Sequence, residues 1–150
     1  MSNNIPRYFE VNETYATGAQ PSIEGLELLK EKGFTAVLNL SPGSTPNYLP
    51  SEAEAVESLD MTYVHYPVDC SNLRSIHYNM FSGILKGFGK EKVFIHCGGN
   101  IKSSNLMHMY NVLEEKLDEK ESYNQLLQIQ QPEEKWHVYF RQFGLTGISA

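Results

Sequence analysis

The chain has 150 residues, 41% hydrophobic and 20% charged, with a formal net charge of -6. That length and balance fit one core, so a single globular domain over 1–150 is expected. The acidic balance argues against nucleic acid or an anionic lipid surface as partner, and no apolar run approaches the ~18 residues of a membrane span. The start, MSNNIPRYFEVNE, lacks both the basic opening and the apolar core of a secretory signal. Two cysteines, Cys70 and Cys97, are too few for a disulfide framework, and the expected compartment is the cytoplasm.

Residues 1–12 are polar and read as loosely ordered. Ser22 follows Pro21 as an N-cap, and Ile23, Leu26 and Leu29 follow at helical spacing until Gly33 ends the helix. Thr35 to Leu40 reads as a buried strand. SPGSTPNYLP is a proline-rich loop, and its Tyr48 is placed where it could wall a pocket. Ser51 and Glu54 form a capping-box pattern for a short helix ending near Leu59. Thr62 to Val68 is a second strand, followed by the polar loop Asp69 to Arg74.

Ser75 to Phe88 reads as a helix with Ile76, Met80, Ile84 and Leu85 on one side. Lys92 to His96 is a third strand. Ser103 to Leu117 is a helix with Leu106, Met109, Tyr110 and Leu113 inward. Two more helices fall over 120–130 and 132–143, the latter with Pro132 in its first turn. Trp136, Tyr139, Phe140 and Phe143 make an aromatic core stripe, and Glu114 to Glu121 a solvated run. Strand and helix alternate, then helices follow, which predicts an α/β fold: a central, mostly parallel sheet flanked by helices. Ligands of such sheets sit at the carboxyl ends of strands, where Cys97 and Asp69 both fall.

The stretch VFIHCGGNIKSS is the most pointed one in the chain. A strand ends in His-Cys, meets two glycines and turns into a helix. Successive backbone N–H groups before a helix N-terminus hold an anion, and Gly98 and Gly99 allow the backbone to approach it closely. The same field favours a thiolate at the rim, so one local structure binds phosphate and activates a nucleophile. The other four histidines, His65, His77, His108 and His137, show no metal-ligand spacing, and neither metal nor cofactor is expected.

These residues resemble the signature loop of the cysteine-dependent protein tyrosine and dual-specificity phosphatases, which run His-Cys, five residues, Arg, then Ser or Thr. TGAQPSIEGLELLKEKGFTAVLNL, MTYVHYPVD and VFIHCGGNIKSSNLMHMY are similar to a compact bacterial branch of that family. That branch includes the phosphatase-like domain attached to beta-lactamase-like hydrolases, and its loop often has four residues before the arginine. The resemblance covers roughly residues 8 to 143 and implies the dual-specificity-phosphatase fold.

It further implies that Cys97 is a nucleophile forming a phosphocysteine, with His96 orienting the loop. The N–H groups of Gly98, Gly99, Asn100, Ile101, Lys102 and Ser103 would hold the phosphate. Ser103 or Ser104 would hydrogen-bond the sulfur, and Asp69 would be general acid, then base. The arginine position falls on Ser103 in the five-residue frame and on Lys102 in the four-residue frame, so neither frame supplies the bidentate fork. Arg74 is a candidate to replace it. Two functions follow: a weak phosphatase acting on a phosphorylated protein or small molecule, or an impaired pseudophosphatase that binds an oxyanion. The same thiolate also suits sulfur or redox chemistry. Oligomeric state is not legible.

Overall fold

The computed structural model describes residues 4–146. Among them are five strands: β1 (Phe9–Glu10), β2 (Tyr15–Gly18), β3 (Ala36–Asn39), β4 (Thr62–His65) and β5 (Val93–His96). Six α-helices accompany them: α1 (Ile23–Glu31), α2 (Glu52–Ser58), α3 (Ser75–Phe88), α4 (Ile101–Leu113), α5 (Glu119–Leu127) and α6 (Glu134–Gln142). One 3-10 turn spans Cys70–Asn72.

The strands form one sheet in the order β1-β2-β5-β3-β4, parallel throughout except for the β1 edge. The expected mixed, mostly parallel sheet covered by helices is therefore present. Alternate residues of each central strand enter different clusters. Ala36, Leu38, Val93 and Ile95 pack with Phe81, Leu106, Trp136 and Phe140 from α3, α4 and α6. Val37 and Phe94 pack with Leu26, Leu29 and Val56 from α1 and α2. Both faces are covered, which is why these strands read as continuous apolar runs. β5 lies between β2 and β3, so the chain leaving it at Cys97 emerges mid-sheet at the carboxyl ends.

Several local expectations hold. Ser22 Oγ accepts from the Gly25 N–H at 3.1 Å, capping α1, and Gly33 follows its end with φ 94°. α3 has the expected bounds. The Trp136, Tyr139 and Phe140 side chains are buried.

Others need correction. Residues 4–12 are held rather than loose: Ile5 is buried in the core and β1 pairs with β2, while residues 1–3 lie outside the described residues. β1 and β2 have no counterpart in the sequence reading, because their residues were too few or too polar to show a period. Ile76 and Met80 face solvent. The buried face of α3 is Tyr78, Phe81, Ser82 and Leu85, an i, i+3, i+4, i+7 stripe that shares only Leu85 with the expected one. α4 starts at Ile101 and ends at Leu113, earlier at both ends than expected. Pro132 precedes the Glu133 cap of α6 instead of entering its first turn. Within the acidic run, Asp118 caps α5 by accepting from the Glu121 N–H at 3.1 Å.

The capping box at α2 does not form, since Ser51 makes no side-chain cap bond. Its neighbour Glu52 turns inward instead and is 1% exposed.

Candidate active site

The Cys97 loop runs from the end of β5 into α4. Cys97 is buried, and its N–H donates to the Gly18 carbonyl at 3.4 Å, continuing the β2–β5 pairing by one residue. An isolated bridge joins Ala19 to Gly99, and Gln20 N–H donates to the Gly98 carbonyl at 3.3 Å. The loop is thus anchored on the β2 side. On the other side, Asn47 Nδ2 donates to the same Gly98 carbonyl at 2.9 Å, so the proline-rich loop lies directly over it.

The left-handed residue of the loop is Asn100, with φ 62° and ψ 25°, a conformation Asn tolerates better than most residues. Its buried side chain donates to the Arg7 carbonyl at 3.0 Å and to Thr17 Oγ1 at 3.1 Å. Gly98 is required for space: a Cβ there would meet Thr45 Cγ2 at 2.9 Å. Gly99 faces open space. Asn100 caps α4 with its backbone only, so no capping side chain takes up the first-turn N–H groups of Ile101, Lys102 and Ser103. Those groups carry the positive end of the helix dipole.

Ser103 and Ser104 separate clearly. Ser103 Oγ lies 3.3 Å from Cys97 Sγ and 2.8 Å from Asn100 Oδ1. Its single hydroxyl hydrogen can serve Asn100 while the thiol is protonated and turn to sulfur once it is not. Ser104 Oγ bonds the Asn100 carbonyl and accepts from Gln130 Nε2 at 2.6 Å, away from the sulfur. Ile101 is held through its carbonyl, which accepts from the same Gln130 amide at 2.9 Å.

Lys102 is half-buried, and its Nζ donates to the Val68 carbonyl at 2.7 Å. Asp69 comes next in the chain. It is exposed, and its Oδ1 accepts from Ser71 N–H at 2.9 Å and Ser71 Oγ at 2.7 Å. Those bonds first, then the Lys102 and His77 charges, hold its carboxyl below the usual range. Burial pushes the neighbouring Cys70 thiol up, against the opposing pull of Lys102 and Lys135.

Arg74 sits at the start of α3 and is exposed. Its N–H donates to His77 Nδ1 at 3.1 Å and its carbonyl accepts from Tyr139 Oη at 2.6 Å. Its positive charge lowers the titration of both His77 and Tyr66, in each case after the larger effect of burial. Tyr48 stacks near His65, 5.7 Å between ring centres, and His65 Nε2 lies 2.6 Å from the Ser41 carbonyl. Among the described residues no three His, Cys, Asp or Glu side chains gather as a metal site, and no helix is long and apolar enough to cross a membrane.

His96, the residue before the nucleophile candidate, is fully buried with Nε2 2.5 Å from Glu52 Oε2. Glu52, Gln20 and Asn47 were all missed in sequence. A glutamate in the first turn of a short helix is ordinarily a solvated residue, and only its burial distinguishes this one.

A cysteine after a mid-sheet strand, leading through a left-handed turn into a helix, defines the class: this is the fold of the cysteine-dependent protein tyrosine and dual-specificity phosphatases. The solved structures it is similar to are of that kind. A Shewanella putrefaciens protein of the DUF442 group, assigned as a phosphatase, matches with TM-score 0.81 at 21% identity, over 94% of this chain and 90% of that one. TpbA of P. aeruginosa matches with TM-score 0.73 at 14% identity, over 95% and 87%; another TpbA structure holds pTyr. The kinase associated phosphatase matches with TM-score 0.72 at 15% identity, over 86% and 84%. No family model and no curated protein matches the chain.

Proposed function

We propose that the protein is a cysteine-dependent phosphatase that hydrolyses a phosphomonoester of a protein or small molecule, slowly, in the cytoplasm. The observation that carries this reading is the 3.3 Å contact between Cys97 Sγ and Ser103 Oγ at the start of α4. It favours the four-residue frame, with Lys102 at the arginine position and Ser103 as the hydroxyl that follows it.

In the first step the Cys97 thiolate attacks phosphorus. The S–P bond forms as the P–O bond to the leaving group breaks, and Asp69 gives its proton to the departing oxygen. In the second step Asp69 takes a proton from water, whose oxygen attacks phosphorus as the S–P bond breaks. Ser103 donates its hydroxyl hydrogen to the departing sulfur. The first-turn N–H groups of α4 and the Lys102 ammonium oppose the charge that builds on the phosphoryl oxygens. Lys102 must leave the Val68 carbonyl, or share itself with it, to do so. It offers a point charge where a guanidinium would offer two parallel donors. Losing such a contact costs on the order of a hundredfold in rate, hence the slow turnover.

A second reading is favoured by Lys102 and Asp69 themselves. An ammonium already bonded to Val68, and a carboxyl held ionised by Ser71, suit oxyanion binding better than turnover. A time course with p-nitrophenyl phosphate, comparing wild type with Cys97→Ser, separates the two. Catalytic release of nitrophenol that Cys97→Ser abolishes supports the phosphatase. Phosphate binding by calorimetry without release of nitrophenol supports the anion-binding module.

A further inference from the structure

Glu52 opens α2, yet its carboxylate points away from solvent to the back of the Cys97 loop. Its Oε2 lies 2.5 Å from His96 Nε2, and its Oε1 accepts from Gln20 Nε2 at 2.7 Å. The Glu52 and His96 side chains are 1% and 0% exposed. Gln20 is itself fixed: its amide also donates to the Pro21 carbonyl at 3.0 Å, and its backbone N–H donates to Gly98. The second ring nitrogen of His96, Nδ1, lies 3.3 Å from the Cys97 carbonyl.

A carbonyl only accepts, so His96 Nδ1 carries the hydrogen it places toward Cys97. With Gln20 donating to Oε1, a single hydrogen bridges Glu52 Oε2 and His96 Nε2, so the carboxyl sets the ring's tautomer and orientation whichever atom holds that hydrogen.

Stability alone is a poor reason for this pair. Burying a carboxyl and an imidazole is costly, and apolar residues of like volume often do as well or better. The gain lies in where the pair sits, on the residue that leads into the Cys97 loop.

We infer that Glu52 is a positioning residue of the Cys97 site, holding His96 in the tautomer and orientation that keep its Nδ1–H on the Cys97 carbonyl. The pair fixes the entry to the loop. Gln20 sets the carboxylate's orientation. Tyr63 on β4 is close enough to feel Glu52; burial above all pushes its hydroxyl up to about 12, so it stays neutral through the working range.

The activity consequence rests on the phosphatase reading, but the thiol and ring consequences do not. In a Cys70→Ser background, so that one thiol reports, Glu52→Gln is expected to slow iodoacetamide alkylation of Cys97 at pH 7 by tenfold or more. Glu52→Asp should recover most of the rate, while Glu52→Gln, which removes one partner of a buried pair, should also lower the Tm. Nitrogen-15 spectra should show the wild-type His96 ring with a hydrogen on Nδ1, and the Glu52→Gln ring with its hydrogens redistributed between the two nitrogens. A wild-type ring with a bare Nδ1, or a folded Glu52→Gln protein alkylated at the wild-type rate, would overturn the inference. If Glu52→Gln does not fold, the wild-type ring spectrum decides alone. Wild-type protein that turns over no phosphate ester but shows the expected ring and alkylation behaviour would sink the phosphatase reading and leave Glu52's role standing.

Discussion

The Lys102 ammonium donates to the Val68 carbonyl at 2.7 Å, tying the first turn of α4 to the residue just before Asp69. In the proposed phosphatase one side chain would then both charge the phosphate site and fix the loop that carries the acid. Lys102→Met is expected to lower aryl phosphate turnover about a hundredfold and to speed amide exchange over residues 68–73. Lys102→Arg is expected to raise turnover about tenfold or more, because a planar fork meets two phosphoryl oxygens. An arginine variant with intact phosphate affinity and unchanged turnover would show that Lys102 does not stand at the arginine position.

Ser103 and Ser104 give a test within one turn of helix. Only Ser103 reaches the sulfur, whereas Ser104 bonds Asn100 and Gln130. Ser103→Ala should slow breakdown of the phosphocysteine more than its formation, seen as a burst of nitrophenol followed by a steady rate about tenfold below wild type. Ser104→Ala should act mainly on stability, by about 1 kcal/mol for the lost bonds. A burst in Ser104→Ala and none in Ser103→Ala would reverse the assignment.

What was legible in the sequence depended on how local the signal was. The Cys97 loop was legible because strand end, glycines and helix start are contiguous, and the fold followed from alternating apolar runs. The frame was not, since choosing between Lys102 and Ser103 needs the rotation of α4 about its axis. Glu52 was hidden for a different reason: SEAE reads as a cap pattern, and nothing local says that the second residue is aimed at His96, 44 positions away. Ile76 and Met80 misled because α3 carries apolar residues around more than one face, and packing against α6 selected Tyr78 and Phe81. The steric demand at Gly98 could not be read either, since it comes from Thr45 across the loop.

Asp69 is held below the usual carboxylate range, first by Ser71 and then by Lys102 and His77. A general acid must be protonated, and its protonated fraction grows as pH falls. The ratio of wild-type to Asp69→Asn turnover is therefore expected to increase from pH 7 to pH 5, the Cys97 contribution cancelling in the ratio. The effect should be larger for an alkyl phosphate than for p-nitrophenyl phosphate, whose leaving group needs little protonation. A ratio that is flat with pH and equal for both esters would remove Asp69 from the acid role.

His108 lies on α4 under α5 and α6, far from water. Its Nδ1 is 2.7 Å from Ser122 Oγ, and its ring packs edge-on against Phe140 at 5.0 Å and Tyr123 at 5.7 Å. Nε2 has no partner among the described residues. Burial first, and His137 second, push the imidazole down from 6.5 to about 4. In the unfolded chain the same ring protonates near 6.5, so below that pH the unfolded state binds the proton and the folded state does not. Stability is full above 6.5, falls as pH drops through the interval, and stops falling from this source near 4. The interval corresponds to about 3 kcal/mol. Urea unfolding of wild type and His108→Leu at steps from pH 7.5 to 4 measures it. The leucine variant should lose about 3 kcal/mol less over that range, while carboxylates such as Glu114, also held low in the fold, contribute equally to both. Parallel curves would mean that His108 accepts its proton in the folded state, through a rearrangement that opens the α4–α5 packing.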